Sequence, residues 1–203
     1  MPAKRPNRKR LAGAKRLKSR LDFPAEESFD QAQRALRDAI AAGPRGRFRF
    51  SGPFAIWLHA PEIGLLAQEL GAHCRYKTTL SPRLSEFAIL TTARTWRAQY
   101  EWQAHAPMAE KAGVKAKTVI DVRAGRFPKG APADERAIYD FVTELYRTRR
   151  VGNRTYGRVV KALGTKGTVE LVGILGYYAL ISMTLNVFQA ETDPAQPLPF
   201  AEP

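Results

Sequence analysis

The chain has 203 residues, 44% of them hydrophobic and 10% aromatic, a globular rather than a disordered composition that suits one domain with a real core and short appendages. A single cysteine, Cys74, excludes an intrachain disulfide, a CxxC redox pair and a cysteine-rich zinc site, and it suits a reducing, cytoplasmic location. Of the formal charge of +14, nine basic side chains fall in residues 1–20 with no acid among them, so the remainder of the chain carries +5.

Taken in order, residues 1–22 read as a basic flexible arm without the apolar run of a secretory signal. The arm could make weak, non-specific contact with nucleic acid or an anionic surface. A first helix is expected from Ser28, as N-cap, to Ala42, with Ala32, Leu36 and Ile40 at helical spacing. Gly43-Pro44-Arg45-Gly46 breaks it, and Arg47 to Phe54 reads as a connector rich in Phe and Gly. A short helix over Phe54–Ala60 precedes a longer one that starts at Pro61 and runs to about Cys74.

Ser81-Pro82 is a strong start signal, with serine as N-cap and proline in the first turn. From there helical character is expected to persist to Ala112, ended by Gly113. Further helices are expected over Lys115–Ala124, Ala133–Thr148, Thr155–Leu163 and, after a Gly164–Gly167 turn, Thr168–Phe188. The fold class is therefore all-α: a helical domain over residues 23–192, followed by a Pro-rich tail at 193–203. Leu171 to Phe188 holds no charge and meets the length of a membrane span. Its glycines, Ser182, Thr184 and Asn186 favour a helix at the centre of a bundle or at a subunit interface.

The chemistry lies between Glu86 and His105. Glu101 and His105 are four apart and so share a helix face, where a carboxylate can fix the imidazole tautomer and raise its pKa. Arg97 lies one turn before Glu101 and joins that face. Arg94 and Arg97 are candidate anchors for a substrate carboxylate, and Tyr100 and Trp102 candidate pocket walls. Tyr177, Tyr178 and Asn186 are second-tier candidates. The three histidines show no metal-ligand spacing, so neither a metal nor another cofactor is expected.

Glu86, Glu101-Trp102-Gln103-Ala104-His105, Leu80 to Glu86 and Phe54 to Gly71 together resemble the carboxymuconolactone decarboxylase family and its AhpD-like branch. The likeness spans roughly residues 50–190 and is strongest over 80–113. It implies an AhpD-like helical bundle, assembled as a homo-oligomer (trimer or hexamer). In the AhpD signature two cysteines fall where this chain has Ala98 and Glu101. Without them no thiolate attacks a peroxide and none resolves the sulfenic acid, so thiol peroxidase chemistry is disfavoured. The resemblance then implies a lyase of the decarboxylase type, as found in aromatic degradation, with His105, Glu101 and Glu86 as catalytic residues. Its substrate would be a small anionic lactone or unsaturated carboxylic acid. The alternative is a non-catalytic scaffold of the same fold, tethered to nucleic acid or a membrane surface by its basic arm.

Overall fold

The computed structural model describes residues 16–201; the part of the basic arm formed by residues 1–15 lies outside them. Among the described residues every regular element is helical: α1 (Gln31–Ala42), α2 (Gly52–Ile56), α3 (Pro61–Tyr76), α4 (Pro82–Trp96), α5 (Gln99–Lys111), α6 (Ala116–Arg123), α7 (Ala133–Thr148) and α8 (Asn153–Val187), with 3-10 turns at Glu26–Ser28 and Trp57–His59. The first helix starts later than Ser28. Asp30 is its N-cap, in a reciprocal capping box with Gln33, while the Ser28 hydroxyl donates to the Ala25 carbonyl. The expected Phe54–Ala60 helix is shifted and split into α2 and the following 3-10 turn.

Ser81 caps α4 as the sequence indicates, accepting from the Leu84 N–H, with Pro82 in the first turn. The continuous helix expected from there to Ala112 does not form. Arg97 adopts a left-handed conformation (φ 52°, ψ 34°), and the Ala98 N–H closes back on the Ala93 carbonyl. This is a Schellman-type stop, and the chain restarts in a new direction as α5. Arg97 therefore caps a helix rather than sharing a face with Glu101.

The central element is α4, which packs against α5, α7 and α8. It is buried without interruption from Phe87 to Ala93. Full burial of Phe87, Ile89 and Leu90 contributes about 1.5–3 kcal/mol each. Thr91 and Thr92 tolerate the interior because their hydroxyls donate to the Phe87 and Ala88 carbonyls one turn back.

Gly164 interrupts α8 with non-helical angles (φ 71°, ψ 173°), where the turn was expected. Among the described residues α8 is the one helix long and apolar enough to cross a membrane, and 56% of its most apolar window is buried in the bundle. Leu171, Ile174, Leu175, Tyr178, Ile181 and Leu185 face the core, whereas Val169, Val172, Met183 and Val187 are exposed. The helix is thus covered on one side only, and the fully central place belongs to α4.

The two ends of the described chain lie against the bundle. The Arg20 N–H donates to the Phe188 carbonyl, and Arg16 reaches the Thr192 hydroxyl at 2.6 Å. The Pro-rich tail crosses α5: Gln99 exchanges two hydrogen bonds with the Phe200 backbone, and Gln103 donates to the Pro197 carbonyl.

Candidate functional site

The bend at Arg97 brings the site together. On one straight helix, Glu86 and His105 would stand about 28 Å apart along the axis. Folded back, α4 and α5 put Glu86 Oε2 2.6 Å from His105 Nδ1. On the other side of the ring, Glu101 Oε1 lies 3.0 Å from Nε2, from one turn earlier on α5. The imidazole is thus held between two carboxylates. His105 and Glu101 are each 4% exposed, and an Arg75 nitrogen lies 3.6 Å from the second Glu86 oxygen.

Burial works against a charged ring, but the charge and hydrogen bond of Glu101, followed by those of Glu86, outweigh it and raise the His105 pKa to about 9. At neutral pH the ring therefore carries its proton, and both nitrogens are donors. His105 and Glu101 border a cavity of about 450 Å³, within the usual size of small-molecule sites, while Glu86 stands behind the ring. The cavity lies between α5, α8, the end of α3 and the loop that joins α1 to α2.

Tyr100 lines this cavity, its hydroxyl 3.1 Å from that of Ser51. The ring lies so close over Gly52 that a Cβ there would stand 2.7 Å from it, at a position whose φ of +62° already favours glycine. The structure places Arg94, Arg97 and Trp102 elsewhere. Arg94 lies over the Phe200 ring at 5.4 Å, Arg97 donates to the Ala201 carbonyl, and Trp102 meets Phe200 edge-on at 5.3 Å. All three hold the C-terminal segment, because their side chains leave α4 and α5 on a different side from Glu101 and His105. Asn186 also serves structure, donating to the Trp96 carbonyl at the end of α4.

The guanidinium groups that do face the cavity are Arg45, Arg47, Arg49 and Arg75. The sequence signal for the first three is the run Arg45-Gly46-Arg47-Phe48-Arg49, three arginines in one short irregular connector. Tyr177 and Tyr178 complete the wall on α8.

With this geometry in view, residues 61–144 match the carboxymuconolactone decarboxylase family. Over that segment the chain resembles the family, and its fold is AhpD-like. The family segment contains Arg75, Glu86, Glu101 and His105; the arginines of the α1–α2 connector and the tyrosines of α8 lie outside it. The fold is similar to a crystal structure from Ralstonia eutropha JMP134 described as an alkylhydroperoxidase AhpD core, an uncharacterized peroxidase-related protein. The TM-score is 0.72 at 16% identity, over 87% of this chain and 93% of that one. No curated protein matches the chain.

Proposed function

We propose that this protein belongs to the carboxymuconolactone decarboxylase family and is a decarboxylase-type enzyme that acts by acid–base chemistry on a small anionic lactone or unsaturated carboxylic acid. The observation that carries this reading is the Glu86–His105–Glu101 relay opening onto an arginine-lined cavity. Arginines attract and orient a carboxylate-bearing substrate, since their planar forks match its geometry. When the carbon–carbon bond to the departing carbon dioxide breaks, its electron pair stays on the substrate carbon and spreads onto a neighbouring oxygen. The proton held by His105 then reaches that carbon through Glu101, whose carboxylate borders the cavity and accepts from Nε2. Glu86 stabilises the charged ring from behind and fixes its orientation. His105 is recharged from solvent after product leaves.

Thiol chemistry finds little support in this site. Alanine and glutamate hold the positions of the AhpD cysteines, and Cys74 is buried, with burial pushing its thiol pKa up and away from the reactive thiolate. Purified protein offered a panel of lactone and unsaturated dicarboxylic acids should consume at least one of them, seen as loss of the conjugated absorbance. Peroxide turnover with a thiol donor, and no acid consumed, would overturn the reading.

Assembly into a homo-oligomer belongs to the same proposal. It is supported by the exposed apolar side chains on the outer face of α8, Val169, Val172, Met183 and Val187, a surface that association would cover. Light scattering should give a mass that is a multiple of 22.7 kDa, and a monomer at micromolar concentration would count against it.

A further inference from the structure

Tyr177 and Tyr178 are neighbours on α8, 4% and 2% exposed, with rings edge-to-face at 5.2 Å. Buried phenol hydroxyls ordinarily find an acceptor. Tyr146 does so, donating to the Leu175 carbonyl at 2.9 Å, and Tyr100 meets Ser51. Tyr177 and Tyr178 both line the cavity, and among the described residues neither hydroxyl makes a hydrogen bond, although neither is fully enclosed. Space is kept for one of them: a Cβ on Gly71 would stand 2.1 Å from the Tyr177 hydroxyl oxygen, so glycine on α3 lets that phenol occupy its place. The Tyr178 ring stands edge-on to His105 at 5.3 Å. Arg75 adds a third donor group to this wall; it also meets the Met108 sulfur at 3.3 Å, lies over the Tyr76 ring at 5.3 Å and approaches Glu86 at 3.6 Å. Burial raises the pKa of both phenols, so both remain protonated donors across the working pH range.

We infer that Tyr177, Tyr178 and Arg75 form an oxyanion subsite, which takes the substrate oxygen that becomes negative as the carbon–carbon bond breaks. Its place in the reaction rests on the acid–base reading above; its capacity to bind an anionic oxygen does not. Two phenols and a guanidinium in a site largely withdrawn from water stabilise a localised oxyanion more than the spread charge of the starting carboxylate. The electron pair released with carbon dioxide moves onto that oxygen and returns to carbon as the proton from His105 arrives. Tyr178, beside the imidazole, is the principal donor, and Tyr177 the supporting one.

The probe is 4-nitrophenolate, an aromatic oxyanion whose visible absorption band reports both its binding and its ionisation. The full-length wild-type protein should bind it and lower its apparent pKa. Tyr178→Phe, which removes one oxygen and keeps the ring, should weaken binding by about tenfold, the loss of one hydrogen bond to a charged acceptor. Tyr177→Phe should weaken it less, and the double variant more than either. Circular dichroism verifies folding, and if Tyr178→Phe does not fold, the Tyr177→Phe variant decides. No binding by wild type, or unchanged affinity in the folded phenylalanine variants, overturns the subsite. Probe binding that depends on the phenols in a protein that consumes no acid keeps the subsite and removes the decarboxylase reading. Turnover of an acid with phenol-independent probe binding does the reverse.

Discussion

His105→Gln should lower turnover by about two to four orders of magnitude, the usual worth of a positioned proton donor, and should lower stability as well. The first effect follows because glutamine has no proton to give at neutral pH. The second follows from the two carboxylates that the ring separates. Its nitrogens meet Glu86 at 2.6 Å and Glu101 at 3.0 Å, and a single amide NH2 cannot neutralise either. Arg75 is near enough to Glu86 to share part of its charge, whereas Glu101, 4% exposed, loses its cationic partner. Removing one member of such a buried set costs about 3–5 kcal/mol, which for a domain of this size lowers Tm by roughly 10 °C. Thermal melts and assays run well below the variant's own Tm separate the two losses. Full retention of turnover in the folded variant would remove His105 from the proton path, and an unchanged Tm would mean that the carboxylates do not depend on the ring's charge.

Stability and turnover should both decline as the solution is made alkaline, in a window set by this same ring. Folding raises the His105 pKa from its ordinary value near 6.5 to about 9. A group whose folded pKa is raised binds its proton more tightly in the native state. Its contribution is fully present below the unfolded value, begins to fade above it, and is lost as pH rises through about 9. The size is on the order of 3 kcal/mol, since a tenfold change in proton affinity is worth about 1.4 kcal/mol. Urea melts at about pH 6 and about pH 10 measure it, and His105→Gln should flatten that part of the profile. Turnover follows the same descending limb because the donor has lost its proton. A profile flat through this range, or one that rises, would contradict a ring held charged by Glu101 and Glu86.

Much of the fold could be read from local signals with a direct physical cause. Ser81-Pro82 marks a helix start because serine satisfies a free N–H and proline has none to satisfy, and Gly164 marks a break because it reaches a positive φ cheaply. The Glu101–His105 contact follows from helical periodicity alone. The stop at Arg97 was hidden because arginine carries no such mark, and the left-handed turn there is imposed by the packing of α4 and α5. The central role of α4 was hidden for a related reason. Its buried threonines look polar in sequence, while the uncharged α8 looks central and is covered on one side. The arginines that line the cavity are not those nearest the motif in sequence. Sequence proximity to Glu101 favoured Arg94 and Arg97, but neighbouring positions on a helix point about 100° apart. The cavity instead draws on Arg75 and on a connector more than fifty residues from Glu101.

The turn at Arg97 also decides what kind of object the relay is. Glu86 and His105 come from separate helices, and neither helix alone holds both. The imidazole's environment is therefore a reading of the angle between α4 and α5. Whatever shifts that angle, whether a residue inserted at the turn, a loosened Phe200 strap or pressure from a neighbouring molecule, reaches the proton before it reaches the fold. The His105 ring doubles as a gauge of the joint, and its resonances in NMR would register a change in that joint while the helices themselves stayed intact.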